Sequence, residues 1–257
     1  MLNKPKILFW DVETSLMPLA AFQLKNDYIQ ATNILRDWHI ICAAWKTQGK
    51  KVIKTVSVLD DPKRFAKNPH DDYHVIKTLR DLIADHDIIV HHNGDSFDIK
   101  KLNARIIYHG LSPLPPVLTV DTKKEACKIA KFSSNKLDYL GEYFGLGRKI
   151  QTSNGLWLRV MRGDKSAIKE MVHYNKGDVD LQEKVYNYLL PYMKSHPNIA
   201  RGDSFECPKC GSDSTQRRGT YATRTGVVYH RHVCNRCGSW SRSRIKTTSP
   251  KSQLAGV

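Results

Sequence analysis

A run of four large apolar residues, Ile7 to Trp10, is followed by two acids one residue apart, Asp11 and Glu13. A short apolar run of this kind predicts a buried strand, and residues i and i+2 of a strand point to the same face of the sheet. Asp11 and Glu13 are therefore expected to lie side by side. Like charges so close together resist ionisation unless a cation holds them, although a strand that simply ends in polar residues would have the same pattern.

The length and composition predict one ordinary domain with room for a small second one. The chain has 257 residues, 40% of them hydrophobic, which is enough for a real core. It has no run of about 18 apolar residues, so no transmembrane helix and no membrane partner are expected. The apolar stretch at the N-terminus is too short for a signal peptide, and a cytoplasmic location is expected. In that compartment the six cysteines favour metal binding or burial over disulfides.

The chain is strongly basic, with 41 Lys or Arg, 25 Asp or Glu and a net charge of +16. This balance favours a polyanionic partner, nucleic acid in particular. Residues 198–257 hold 11 basic and 3 acidic side chains, a net of +8, so the last quarter of the chain carries half of the excess charge.

The hydrophobic pattern predicts a mixed α/β sheet with helices on its faces. After the first strand, residues 39–45 and 51–59 read as strands joined by a hairpin, and residues 60–72 read as a polar loop. A helix over 73–86, a strand over 87–92, a helix over 96–110 and a strand over 116–120 follow, with helices dominating from about 121 to 192. We expect a domain over 1–197, a linker over 195–204, a second module over 204–246 and a disordered tail over 247–257.

Two later segments also carry acids on expected elements. The sequence HHNGDSFD, residues 91–98, follows a strand and opens a helix. There, Asp95 or Ser96 could cap the helix and Asp98 could be a first-turn acid that favours the helix dipole. The sequence HYNKGDVD, residues 173–180, lies in a helical stretch in which Tyr174 and Asp178 share one face; an exposed polar face is the alternative.

These three motifs, taken in order, resemble those of the DEDD exonuclease superfamily. D-x-E on the first strand, N-x-x-x-F-D after the fourth and Y-x-x-x-D on a late helix are similar to its tyrosine branch. That branch includes the proofreading domains of family B DNA polymerases and small stand-alone relatives. The resemblance covers about residues 5–192 and implies a ribonuclease H-like fold.

By this resemblance Asp11, Glu13, Asp98 and Asp178 are catalytic metal ligands. Two divalent cations would stabilise the attacking and leaving oxygens during phosphodiester hydrolysis. Four carboxylates without a His/Cys cluster suit Mg²⁺ or Mn²⁺. The two acids at the end of the first strand would then tolerate each other because metal lies between them and the phosphate.

The third motif has a histidine version, H-x-x-x-x-D, which His173 satisfies. Only one of His173 and Tyr174 can face the metals, because neighbours on a helix point about 100° apart. The spacing of four from Asp178 favours Tyr174, whose role in the family is to orient the attacking water.

Two residues of the second motif are expected to bind substrate. By the same resemblance, Asn93 and Phe97 would contact the 3′-terminal nucleotides, with Phe97 stacking on a base. The alternative for Phe97 is a place in the core. A set of basic residues between the second and third motifs is read either as a solvated surface or as a phosphate-binding rim: Lys123, Lys124, Lys128, Lys131, Lys136 and Arg148.

Two C-x-x-C pairs predict a structural zinc site. Cys207, Cys210, Cys234 and Cys237 match the spacing of a four-cysteine zinc site, and Gly follows each pair. With strand-like segments between and after the pairs, this C-terminal module resembles a zinc ribbon holding one Zn²⁺. Its folding should depend on the metal. Cys42 and Cys127 are expected to be buried.

The leading hypothesis is therefore a metal-dependent 3′–5′ exonuclease acting on single-stranded DNA ends. A structure-specific endonuclease or an RNase on the same fold is an alternative, since fold does not fix the substrate. A catalytically silent nucleic-acid-binding protein is another, disfavoured because a pure binder has no need to crowd acids where phosphates bind. The ribbon, rich in Arg and aromatic residues, is expected either to grip nucleic acid or to dock a replication or repair protein. If a phage encodes the protein, its location would be the host cytoplasm.

Overall fold

The computed structural model describes residues 4–21, 23, 29–153, 155–202 and 205–248. The chain divides into two compact units. The first comprises Lys6–Lys124 and Ser133–Val185. The second contains residues 4–5 and 125–132 and the described part of the chain from Tyr186 onward. The boundaries expected from the sequence, 1–197 and 204–246, stay a prediction.

The first unit is built on a five-stranded mixed sheet. Its strands are β1 (Ile7–Thr14), β2 (Ile40–Thr47), β3 (Lys54–Ser57), β4 (Ile88–His91) and β5 (Leu118–Asp121), in the order β3-β2-β1-β4-β5. The first three strands pair antiparallel, whereas β4 is parallel to β1 and β5 is parallel to β4. The predicted hairpin and the predicted mixed sheet are confirmed.

Seven α-helices accompany the sheet in the described residues. They are α1 (Pro62–Lys67), α2 (Tyr73–Ala84), α3 (Asp98–Tyr108), α4 (Thr122–Ile129), α5 (Leu137–Tyr143), α6 (Leu156–Met161) and α7 (Lys165–Leu189). Apolar side chains of β1, β2, α2, α3 and α7 form one core, in which the largest fully buried members include Trp10, Ile40, Ile41, Ile76, Leu79 and Ile83. Central β1 is apolar on both faces because side chains pack against it from both sides.

The segment 60–72, predicted as a loop, contains helix α1. Asp61 caps the helix by accepting a hydrogen bond from the Arg64 backbone amide at 3.1 Å. Pro62 stands at the first helical position, where its missing N–H costs nothing, and Phe65 is buried. Helix α1 is six residues long and buries one of them, Phe65. A helix this short and polar has no periodic apolar pattern, so it was not predicted.

A buried charged cluster ties the second helix to the third. Asp72 is fully buried and accepts hydrogen bonds from Arg105 at 2.7 and 2.8 Å, and from the Ile40 amide at 2.9 Å. His109 lies 2.6 Å from the same carboxylate. Because Arg105 belongs to α3, the bidentate pair fixes the helix whose first residue is Asp98.

The second unit contains a three-stranded antiparallel sheet, β6 (Thr215–Ala222), β7 (Val228–Cys234) and β8 (Trp240–Thr248), in the order β6-β7-β8. These strands coincide with the three strand-like segments of the sequence. The predicted tail 247–257 was wrong at its start, since β8 continues to Thr248; residues 249–257 lie outside the described residues.

Two further expectations concern cysteines and membranes. Cys42 is buried as predicted, but Cys127 on α4 is exposed, so the prediction for Cys127 was wrong. Helix α4 has too few apolar residues to bury more than one face. Among the helices in the described residues, none is long and apolar enough to cross a membrane.

Candidate active site

The first two acids lie at the end of the central strand. Asp11 and Glu13 are on one face of β1, opposite Ala44 and Cys42 of β2, and both are partly buried. The side-by-side arrangement follows directly from the two-residue period of the strand. The acids therefore stand where the core ends and the solvent begins.

The third acid, Asp98, follows a tight turn after β4. Asn93 has a φ of +72°, a left-handed conformation that Asn tolerates better than most residues. A Cβ atom on Gly94 would lie 2.4 Å from Cγ of His91, so only glycine fits there. The turn leads into α3, whose first residue, Asp98, is buried and accepts a 3.4 Å hydrogen bond from the Val12 amide of β1.

The capping roles considered for this turn are not found. Neither Asp95 nor Ser96 caps α3, because Phe97 occupies the capping position without a side-chain bond. Asp95 instead lies 2.9 Å from Nε2 of His91 and binds Lys124 at 2.8 Å. The Ser96 hydroxyl donates to the backbone oxygen of Asn93 at 3.0 Å.

Asp121, which the sequence analysis missed, holds the turn in place. Its buried carboxylate accepts hydrogen bonds from the amides of Asn93 at 2.9 Å, Lys123 at 3.0 Å and Asp95 at 3.4 Å. It ends β5, next to and parallel with β4. The position of Asp121 at the end of a predicted strand could have identified it, because the carboxyl ends of neighbouring parallel strands meet at one edge of a sheet.

The fourth acid comes from α7. Carboxylate oxygens of Asp11, Glu13 and Asp178 all lie within 4.8 Å of one another. Asn175, one residue after Tyr174, donates from Nδ2 to Oδ2 of Asp11 at 2.6 Å. The sequence analysis missed Asn175, although its spacing of three from Asp178 places it on the same helix face.

Lys149 contributes the positive charge nearest to these acids among the described residues. Its Nζ lies 2.8 Å from Oδ2 of Asp178 and 5.0 Å from the ring centre of Tyr174. It was not among the basic residues singled out from the sequence, because it lies in an irregular segment without a motif. Within that predicted rim, Lys124, Lys128 and Arg148 are instead paired with carboxylates.

Burial raises the pKa values of all four acids, and repulsion from other acids of the cluster adds to this for Asp11 and Glu13. Burial, followed by the charge of Asp178, raises the pKa of Glu13 to about 8. Burial raises the pKa of Asp98 to about 6. The pKa of Asp11 is well above its ordinary value because of burial and then the charges of Asp98, Glu13 and Asp178. Burial also raises the pKa of Asp178, against the lowering effect of Lys149.

This acid cluster fits divalent metal ions. Oδ1 of Asp178 is buried without a hydrogen-bond partner among the described residues, and such an atom is costly unless something binds it. The remaining donors are carboxylate oxygens, the ligands that Mg²⁺ and Mn²⁺ prefer. Asp11, Glu13 and Asp178, with Asp98 beside them, are the residues that would hold the ions.

The structure distinguishes Tyr174 from His173. The Tyr174 side chain is half-buried, hydrogen-bonded to Lys149 and Asp178, and packed edge-on against Trp157 at 6.3 Å between ring centres. Burial and the charge of Asp178 raise the pKa of Tyr174 to about 12, so it keeps its proton at neutral pH. His173 is exposed on another face of α7.

The predicted substrate residues lie in the turn that carries Asp98. Phe97 is 41% exposed, so its alternative place in the core was wrong. Nζ of Lys101 lies 5.5 Å from the ring centre of Phe97 and 3.6 Å from that of Trp38. Oδ1 of Asn93 accepts hydrogen bonds from Lys123 at 3.1 Å and from the Ser96 hydroxyl at 2.9 Å.

The four ribbon cysteines form a closed cluster in the second unit. Sγ of Cys207 lies 3.7 Å from Sγ of Cys237, and Sγ of Cys210 lies 3.6 Å from Sγ of Cys234. A tetrahedron of zinc–sulfur bonds has edges of about 3.8 Å, so the thiols are spaced for one Zn²⁺. The cluster is consistent with the predicted zinc ribbon.

Both halves of the cluster use the same turn. The amide of Gly211 donates to the Cys207 carbonyl at 2.9 Å, and that of Gly238 donates to the Cys234 carbonyl at 2.9 Å. Both glycines have a positive φ. Burial opposes ionisation of Cys207, but bonds from the Ser239 hydroxyl and nearby backbone amides outweigh it and lower the Cys207 pKa to about 7. A thiolate is the form that binds zinc.

We predict that Glu13→Gln stabilises the protein in buffers free of Mg²⁺ and Mn²⁺. Between pH 4.5 and 8 the unfolded chain releases the Glu13 proton while the folded chain keeps it, so the wild type loses stability as the pH rises through this window. The variant lacks this loss, and because solvent screens a partly exposed side chain its advantage should reach only roughly 1–2 kcal/mol at pH 8. Urea unfolding of both proteins at pH 5 and pH 8 measures the difference in their free energies of unfolding.

The matched control is Glu142→Gln, the same substitution on an exposed side chain, which should leave stability within about 0.5 kcal/mol. Adding Mg²⁺ should stabilise the wild type more than the Glu13→Gln variant, because the ion binds only the folded acids. A Glu13→Gln protein that is no more stable than the wild type at pH 8 would contradict the described repulsion.

Comparisons with known proteins agree with this fold. Residues 42–190, more than half of the chain, match the family model of the RNase_H superfamily. The family B DNA polymerase of the hyperthermophilic archaeon Pyrobaculum calidifontis is similar in structure, with a TM-score of 0.54 and 18% identity. The match covers 74% of this chain but only 25% of the polymerase, and at this identity it shows a shared fold. No curated protein sequence matches significantly. The chain belongs to the RNase_H superfamily and has the ribonuclease H-like fold expected from its motifs.

Proposed function

We propose that this protein is a metal-dependent 3′–5′ exonuclease that hydrolyses single-stranded DNA, of the tyrosine branch of the DEDD superfamily. The observation that carries the proposal is the convergence of Asp11, Glu13 and Asp178 within 4.8 Å, with buried Asp98 beside them. Three acids from β1 and α7 thus meet at one point, with a fourth from α3 beside them, where nothing in the core requires them.

The cofactors proposed are two Mg²⁺ or Mn²⁺ ions at these acids. When bound, such ions stabilise negative charge on the attacking and leaving oxygens of a phosphodiester. Asn175 holds the Asp11 carboxylate in a fixed orientation through its 2.6 Å hydrogen bond. The turn at Asn93 and Gly94 does the same for Asp98 through the backbone.

Tyr174 and Lys149 are proposed to act on the substrate side of the acids. Tyr174 stays protonated at neutral pH because burial and Asp178 raise its pKa to about 12, so its hydroxyl can donate a hydrogen bond that orients the attacking water. Lys149 offers a positive charge at the same place, where a phosphate oxygen would compete with Asp178 for its ammonium group.

Asn93 and Phe97 are proposed to bind the 3′-terminal nucleotides. Phe97 is exposed beside the first residue of α3 and so has a ring face free for stacking on a base. The pair of Trp38 and Lys101 next to it enlarges this surface. In the second unit, Cys207, Cys210, Cys234 and Cys237 are proposed to hold one structural Zn²⁺.

The distinguishing experiment uses 5′-labelled DNA and RNA, single- and double-stranded, incubated with Mg²⁺. Exonuclease action from the 3′ end shortens single-stranded DNA one nucleotide at a time and gives a continuous ladder. Discrete internal products would indicate an endonuclease, a ladder on RNA alone an RNase, and no hydrolysis a catalytically silent binder. Any of these three results would replace the proposal.

Asp98→Asn should reduce hydrolysis to background, because it removes a ligand charge without removing the side chain. The control is Asp81→Asn, which removes an exposed carboxylate paired only with Lys77 and Arg80 and should keep full activity. Far-ultraviolet circular dichroism verifies that both variants fold. Full activity in Asp98→Asn would exclude the proposed metal site.

Tyr174→Phe should lower turnover by roughly 100-fold, the scale expected for a group that orients the attacking water. The ring and its packing against Trp157 remain, so only the hydroxyl is removed. His173→Ala, on an exposed neighbour in the same helix, should change turnover less than about threefold. Single-turnover measurements at saturating DNA compare the rate of hydrolysis by the Tyr174→Phe and His173→Ala variants. The reverse pattern would assign the protein to the histidine branch.

A further inference from the structure

The ribbon sheet presents aromatic and arginine side chains together on one face. Tyr221 of β6 is opposite Tyr229 of β7, and Arg231 of β7 is opposite Arg242 of β8. Residues two apart in a strand share a face, which places Tyr229 with Arg231 and Arg242 with Trp240. We call this set the aromatic face: Tyr221, Tyr229, Arg231, Trp240 and Arg242.

The rings of the aromatic face are unusually exposed. Trp240 is 53% and Tyr221 48% exposed. Together with Arg231 and Arg242 they line a cleft of about 280 Å³. The sheet buries other residues, such as His232 and Ser243. Large aromatic rings left in water on a small module mark an interaction surface better than they explain folding.

The arginines are held against the rings. The guanidinium carbon of Arg231 lies 4.8 Å from the ring centre of Trp240, and that of Arg242 lies 4.0 Å from the ring centre of Tyr229. Nε of Arg231 also donates to the carbonyl of Arg218 at 3.1 Å. Stacking and hydrogen bonding fix these side chains before any ligand arrives, which reduces the entropy lost on binding.

The charge of this face has no internal partner in the described residues. Two arginines directly opposite each other on neighbouring strands repel. Between residues 205 and 248 the chain has 9 Lys or Arg and 2 acids, Glu206 and Asp213, and both acids lie outside the three strands. We therefore expect an anion from outside the chain to bind here, and guanidinium groups bind phosphate oxygens well.

We propose that the aromatic face is a second binding site, for single-stranded nucleic acid. Its bases stack on Trp240 and Tyr221, and its phosphodiester groups bind Arg231 and Arg242. A double strand fits less well, because its base faces are already covered by neighbouring bases. None of these residues belongs to the candidate active site, so the proposal does not rest on the proposed hydrolysis.

The test measures binding by fluorescence anisotropy in the full-length chain carrying Asp98→Asn, so that hydrolysis does not consume the probe. The probes are labelled dT30, rU30 and a 30-base-pair DNA duplex. In this background, Tyr221→Ala with Trp240→Ala should weaken binding of at least one single strand by roughly tenfold or more, since each stacked base contributes on that scale. Binding of the duplex should change less than about threefold.

Two controls sharpen the result. Tyr192→Ala removes another exposed aromatic ring, 60% exposed and outside the sheet, and should leave all affinities unchanged. Trp240→Phe keeps a stacking ring and should retain most of the affinity that Trp240→Ala loses. A zinc content of one per chain verifies that the ribbon remains folded in each variant.

The arginines are tested through salt. Arg231→Ala with Arg242→Ala should reduce the slope of log affinity against log salt by about 0.7 for each phosphate of a single strand that the variant no longer neutralises. Arg217→Ala removes one equal charge from β6 opposite His232, on the other face, and should reduce the slope by less than half as much.

Unchanged single-strand affinity in the Tyr221→Ala, Trp240→Ala protein would overturn the proposal, and a protein partner would then be the occupant to test. Equal losses on the duplex and on single strands would also overturn it, because stacking on free bases would not be the cause. Loss on dT30, on rU30 or on both supports the proposal and identifies the nucleic acid. A separate failure of the wild type to hydrolyse DNA would count against the proposed function alone.

Discussion

The close approach of carboxylates at the edge of the core is the constraint around which the first unit is arranged. Asp11 and Glu13 are side by side because β1 has a two-residue period, and Asp178 reaches them from α7. Asp98, the first residue of α3, lies beside them and accepts a hydrogen bond from the Val12 amide of β1. Burial raises the pKa of each of the four acids, and repulsion within the cluster raises those of Asp11 and Glu13 further. Lys149 offsets part of the charge by its ion pair with Asp178 and by its nearness to Asp11 and Glu13. A protein that needed only stability would replace these acids with apolar residues.

The supporting structure explains how acids distant in the sequence are held in register. Asp121 binds three backbone amides of the turn after β4 and its own helix start, which fixes the strained conformation of Asn93. Asp72 anchors α3 through Arg105. Neither Asp121 nor Asp72 belongs to one of the three motifs, yet each stabilises the segment that carries Asp98. Placing buried carboxylates costs free energy, and rigid hydrogen-bonded supports of this kind supply the needed geometry.

The sequence predicted what depends on period and spacing. The five strands, the ribbon strands and the shared face of Tyr174 and Asp178 all follow from local pattern. Helix α1 escaped prediction because one buried residue, Phe65, carries its packing. Lys149 was not predicted because it lies in an irregular segment without a motif. The burial predicted for Cys127 was wrong because the short helix α4 has too few apolar residues to show which face is buried. Contacts between distant segments, such as that of Asn175 with Asp11, depend on how α7 packs against the sheet. The local pattern of a single sequence does not predict that packing.

If these acids hold divalent cations, a crystal of the full-length protein soaked in Mn²⁺ should have manganese bound to them. Anomalous scattering recorded at the manganese edge locates the ions without reference to activity. We expect anomalous density in contact with Asp11, Glu13 and Asp178, and its loss in the Asp178→Asn protein. A soaked wild-type crystal with manganese bound elsewhere and none at these carboxylates would show that they are not a metal site.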